Sequence, residues 1–249
     1  MGLNQFDDGP GIFQDVAIRQ ALLLAVNREA IVEAAFFGYV EVAETTMAVP
    51  WAYDPDDITA RYGHYPERAA GLLDQAGWVL GDDGVRVKDG IRFEVSGWCQ
   101  AGAITETIAA IVQEFWRQVG VVMEIQTEQS AAFFSRIQET HDYDVFFHSF
   151  GSGDVDQRLF WNCETGIALQ WVGYCNEELD ALMNEASTEL DSDRRRGLTN
   201  EVLNQVMETL PVGPLVAPLG LAAIRSEVHN VYPNAYNFAF NAHTWWKGE

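Results

Sequence analysis

The 249-residue chain is 48% hydrophobic and 12% aromatic with eight Trp, enough apolar content to bury a large core and too much for global disorder. Its 37 acidic and 15 basic residues leave a formal charge of -22, a field that repels phosphate backbones and anionic membranes and so argues against nucleic-acid binding. Apolar runs such as Ala21–Val26 and Ala34–Phe37 fall well short of the roughly 18 residues that cross a bilayer.

Met1-Gly2-Leu3-Asn4 has neither a basic n-region nor an apolar h-region, so the chain as written is not expected to be a secretory precursor. Asp15 is placed to cap a helix through Val16, Gln20, Leu23 and Val26. Asn27 repeats the signal for a second helix, with Ile31, Ala34 and Ala35 inward and Gly38 as its stop. Val40–Ile58 holds Pro50, Trp51, Tyr53 and Pro55 with little periodicity. It reads as an ordered loop whose aromatic rings serve core or lobe packing. Pro66 suits the first position of a helix that Gly77 closes after Leu72, Leu73 and Ala76. Two turns, Gly81–Gly84 and Lys88–Gly90, bracket a short strand at Val85–Val87, and Ile91, Phe93 and Val95 then alternate as a strand.

Ile104, Ile108, Ile111, Phe115 and Val119 recur at helical spacing up to Gly120. Val121, Met123 and Ile125 alternate with Val122, Glu124 and Gln126, which predicts a strand with one wetter face. Ser130 reads as the cap of a short helix through Phe133, Phe134 and Ile137, and Tyr143–Phe147 as a compact apolar strand. Gly151–Tyr174 reads as irregular. Asn176 caps a helix with Leu179, Leu182, Met183 and Ala186, and a longer helix follows over Ser192–Thr209. Val212–Ala217 and Leu221–Ile224 read as strands, and from Glu227 an aromatic tail runs to Trp245-Trp246. Helices alternating with strands in this way predict an α/β fold, a mixed sheet flanked by helices.

The cysteines are Cys99, Cys163 and Cys175, with no C-x-x-C pair. Cys163 and Cys175 bracket a short loop and are either a local disulfide or two buried thiols. G-x-S-x-G, H-E-x-x-H and Walker motifs are absent, and the five His share no metal-ligand spacing. No cofactor is expected. A hydrolase would have to pair Asp154 or Asp156 with another carboxylate.

Four stretches in fixed order resemble the dipeptide, oligopeptide and nickel solute-binding proteins of ABC importers, family 5. They are Phe13–Leu22 with Ala25–Val32 (F-Q-D-V-A-I-R-Q-A-L, A-V-N-R-E-A-I-V), Tyr65–Trp78 (Y-P-E-R-A-A-G-L-L-D-Q-A-G-W), the Asp83–Gly90 hairpin, and Tyr174–Met183 with Asp191–Arg196 and Leu210-Pro211. The resemblance implies a periplasmic-binding-protein-like II lobe, the second of a two-lobed fold. On that reading residues 1–225 are the lobe and residues 226–249 a segment that packs back on a first lobe missing from this chain.

The resemblance further implies a non-enzymatic role outside the cytoplasm. The lobes close over a small solute, a peptide foremost, and the closed form docks on an ABC permease in the membrane. Oligosaccharide or a nickel or other metal chelate is the alternative ligand. Peptide binders of the family carry W-x-x-D-x-x-x-P after the strand that matches Tyr143–Phe147, and the Asp pairs with the peptide ammonium. Asp154 is the first match to that Asp and Asp156 the second, with Phe150 where Trp is usual and Gln157 where Pro often follows. The spacing is one residue longer. The competing reading makes both carboxylates Asx caps in a Gly-rich loop. Trp98 is expected either to stack on ligand or to pack between lobes, and His148 lies beside the expected cleft. Tyr236, Phe238, Phe240, Trp245 and Trp246 form an aromatic tail through which the chain alone is expected to self-associate.

Overall fold

A computed structural model describes residues 1–47, 50–149, 156–217, 223–232 and 239–248. Phe150, Asp154, Leu221, Tyr236 and Phe238 lie outside the described residues. Among the described residues, no helix is long and apolar enough to cross a membrane.

The chain opens with β1 (Gly2–Leu3), then α1 (Val16–Leu24) and α2 (Arg28–Phe36). The two helices start where the sequence places them, because the Asp15 carboxylate accepts from the Ala17 amide and Asn27 Oδ1 from the Ala30 amide. Phe37 itself takes the left-handed C-cap at φ 55, with Gly38 following at φ 78. Ala34 is exposed rather than inward, since the buried stripe of α2 holds only Arg28, Ile31 and Ala35.

The loop beyond carries β2 (Glu41–Val42), and α3 (Pro66–Gln75) begins on its proline. The next apolar run splits. β3 (Val79–Leu80), β4 (Arg86–Lys88) and β5 (Ile91–Arg92) make a three-stranded meander, whereas β6 (Glu94–Gln100) joins another sheet. Then follow α4 (Ile104–Gln118), β7 (Val122–Glu128) and α5 (Ser130–Ser135). Gln129 occupies the N-cap of α5 without a side-chain bond, so Ser130 is its first helical residue and not its cap. A π-turn over Arg136–Thr140 leads to β8 (Val145–Phe147).

The stretch read as irregular contains two short helices, α6 (Arg158–Trp161) and α7 (Ile167–Val172), too brief to leave a periodic trace. They precede α8 (Glu177–Thr188), capped by Asn176, and α9 (Ser192–Thr209), capped by Asp191. β9 covers only Val216–Ala217, and Ala223 and Ile224 are not in a strand. Upstream of β9, Val212 makes an isolated antiparallel bridge to Gly2, and Arg28 donates to the carbonyls of Ala43 and Pro214. β10 (Val228–His229) and β11 (Trp246–Lys247) pair antiparallel.

The central sheet has the order β1-β8-β6-β7, with β6 parallel to both β7 and β8 and β1 antiparallel to β8. Period-two alternation sends its residues to two cores. Val95, Cys99, Met123, Val145 and Phe147 face a core that also takes Leu22, Leu73, Val112 and Trp116. Phe146, between Val145 and Phe147, faces a second core with Phe133, Trp161, Val172, Leu179 and Val206. Burial pushes the Cys99 thiol up to about 12.

Candidate ligand-binding site

Because β6, β7 and β8 run parallel, their C-terminal ends reach one edge of the sheet. In open α/β sheets that edge is where ligands sit. Trp98 lies in register with Gln126 on one side and Phe146 on the other. His148 follows β8 by one residue and so falls on the same face as Phe146 and Trp98. The sheet thus brings two of the sequence-predicted residues to one face and one edge.

Trp98 is half-buried, and its ring is already covered on one side. The Arg136 guanidinium carbon stands 3.6 Å from the ring centroid, a cation–π contact. Arg136 is held there by two bonds to Glu128, Nη2 at 2.6 Å and Nε at 3.0 Å, and by Asp142. These carboxylates favour its charged form. The buried Trp98 Nε1 finds no acceptor among the described residues.

His148 is half-buried against aromatic rings. Its centroid lies 5.2 Å from Phe134, edge-on, and 5.6 Å from Trp171. Phe133 is 6.0 Å away. Burial holds its pKa below the usual histidine value, so the neutral imidazole is favoured near pH 7. No group of three or more His, Cys, Asp or Glu able to hold a metal occurs among the described residues.

Asp156 is engaged by its own chain. Its carboxylate accepts from the Arg158 amide at 3.0 Å and from the Arg158 guanidinium in a bidentate ion pair. Those bonds hold its pKa below the ordinary Asp value. The amide bond is an Asx-turn, the local role that competes with ligand contact for this residue. Asp156 also lines a cavity of about 150 Å³ with Trp51, Met183, Arg195 and Thr199. Trp51 is 61% exposed there, so it is not a core residue, while Tyr53 packs against Met47, Ala52, Ile58 and Leu203.

Arg136, Phe134 and Trp171 stand against Trp98 and His148 and are neighbours that sequence reasoning misses. Glu128, Arg136 and Asp142 alternate in sign across a strand, a helix and a loop, and that charge pattern is the one legible trace of the Arg136 clamp.

Cys163 and Cys175 form a disulfide. It closes the segment that holds α7, between the end of α6 and the cap of α8. Asp180 supports the same loop by accepting from the Cys163 amide at 3.1 Å.

The profile of the bacterial extracellular solute-binding proteins, family 5 Middle, matches residues 2–163. The oligopeptide-binding protein AppA of Bacillus subtilis is 25% identical over 241 residues, 94% of this chain and 44% of that protein. The structure of AppA in complex with a nonapeptide superposes at a TM-score of 0.85 with 26% identity, covering 100% of this chain and 50% of that one. The nickel-binding periplasmic protein of Escherichia coli is 31% identical over 153 residues, 59% of this chain and 28% of that protein. The chain spans about half the length of the AppA protein it matches. These relatives are binding proteins.

Proposed function

The chain belongs to the bacterial extracellular solute-binding proteins of family 5, and from that premise we propose that it is the ligand-capturing half of such a protein. It holds a peptide or similar small solute against a second lobe and hands it to an ABC permease. The observation that carries the reading is the superposition of the whole chain on one half of a nonapeptide-bound oligopeptide-binding protein. The C-terminal ends of the parallel strands β6, β7 and β8, with Trp98, His148 and Trp171 beside them, supply the apolar and polar surface such a cleft needs.

Closure over the ligand is driven by the greater affinity of the closed form. The role requires no bond making and places the protein outside the cytoplasm, where the Cys163–Cys175 disulfide persists. Residues 1–225 are the lobe, and residues 226–249 pack on its partner lobe. Phe240 and Trp246 are 52% and 55% exposed, which supports a covered role for that tail. The chain alone self-associates through it, and a concentration-independent monomer in sedimentation velocity would overturn that claim.

A metal chelate is the alternative ligand, with His148 just past the end of β8 as its candidate contact. Calorimetric titration of the chain with di- to nonapeptides, oligosaccharides and Ni²⁺–histidine separates the readings. Saturable, weak peptide binding is expected, since one lobe supplies part of the contacts. Preference for the chelate or sugar, or turnover of any of these probes, sinks the peptide reading.

A further inference from the structure

The cavity beside Asp156 is walled by the loop carrying Trp51 and by the hairpin of α8 and α9. Its volume is about 150 Å³, room for a small polar group. Arg195, half-buried, and Arg196, exposed, both border it. Neither makes an ion pair or a side-chain hydrogen bond among the described residues. Their neighbours are committed: Arg194 to Glu185 and Glu189, and Arg158 to Asp156.

We propose that this cavity is a recognition pocket for a small carboxylate group, held by Arg195 and Arg196 and walled by Trp51. Guanidinium donors match a carboxylate in planar, bidentate geometry. Both arginines lie in the 18-residue α9, just past the first turn that Asp191 caps. The Trp51 indole and the Met183 and Ala52 side chains give the carbon portion of the group an apolar wall. The Asp156 carboxylate on the same wall is neutralised by Arg158. The pocket is built wholly from residues of this chain, so the inference goes beyond capture between two lobes and does not depend on it. The carboxylate comes either from a free dicarboxylate or from the acidic end of a peptide.

The test is ¹⁵N NMR of the arginine Nε–H groups in the full chain. The probes are succinate, its neutral isostere succinamide, a free-acid tripeptide and that peptide's amide. Arg195→Gln and Arg196→Gln assign the two signals, and amide dispersion confirms that each variant folds. The Arg195 and Arg196 signals are expected to shift saturably with succinate, at a half-saturation at least about tenfold below that for succinamide. That ratio corresponds to about 1.4 kcal/mol. Each variant removes the difference, and added salt weakens the binding. A free-acid tripeptide that matches succinate assigns the carboxylate to a peptide. One that behaves like its amide assigns it to a free dicarboxylate and leaves the pocket standing. Arg195 and Arg196 signals that move no more than those of the surface ion-paired Arg92 and Arg117, or equal response to succinate and succinamide, overturn the inference.

Discussion

Several side chains that make the sequence legible as a family member are fasteners rather than ligand contacts. Arg19 donates to the carbonyls of Leu210, Gln14 and Thr209, and burial lowers its pKa to about 10. Arg86 is buried and donates to Val119 O at 2.7 Å, to Trp78 O and to the Asp74 carboxylate. Arg86→Ala strands those carbonyls and is expected to cost about 3 kcal/mol in urea unfolding. Asp74 is 61% exposed, so Asp74→Asn should cost about 1 kcal/mol or less. Equal losses would show that the ion pair, not the carbonyl bonds, holds the hairpin. His148 makes stability depend on pH. Its folded-state pKa lies below the ordinary value of 6.5, so the unfolded chain takes the proton first as pH falls. Its contribution is full above about pH 6.5 and is lost as pH drops through the folded value. Urea midpoints compared above and below that point should fall for the parent chain, with a smaller fall for His148→Phe. Trp98 shows why sites are harder to read than fasteners. Its aromatic character is visible in the sequence, but the guanidinium over its ring arrives from a helix and turn that only the folded chain brings near.

Elements were legible in the sequence where their signal is local. Asp15, Asn27, Asn176 and Asp191 each cap the helix that follows, and each bond spans two or three residues. Asp191 accepts from the amides of Asp193 and Arg194, so Asp191→Ala should cost about 1 kcal/mol and Asp191→Asn much less. Chemical denaturation of the two variants checks the order. Signals that depend on partners far along the chain were lost. Ile91, Phe93 and Val95 alternate without a break in the sequence, yet Ile91 pairs with Lys88 and Val95 with Met123, in different sheets. Nothing within that run says where one sheet ends. β1 and β9 are two residues each, below the length at which alternation can be recognised, and α6 holds barely one turn. The family motifs supplied the fold class in spite of this, because they mark the long helices that frame the sheet.

At the scale of the molecule, the Cys163–Cys175 disulfide and the second core secure the same region by different means. The bridge closes a loop of sequence separation 12, which in the chain-entropy picture is worth about 3 kcal/mol. Within the loop, Ala168, Val172 and Tyr174 are buried in the core that also holds Phe146, Leu179 and, just before the loop, Trp161. The core therefore keeps α7 in place when the bridge is opened, and the cross-link acts mainly by restricting the unfolded chain. Cys163→Ser/Cys175→Ser should lower the free energy of unfolding by about 2–3 kcal/mol while leaving the folded aromatic signals near His148 unchanged. Urea denaturation gives the first quantity and near-ultraviolet dichroism with histidine NMR the second. The two readouts separate the mechanisms. A stability loss with intact native signals assigns the bridge to the unfolded state. Native signals that collapse with it would mean that the bridge holds Trp171 against His148, and that the sheet edge depends on an oxidising compartment for its shape.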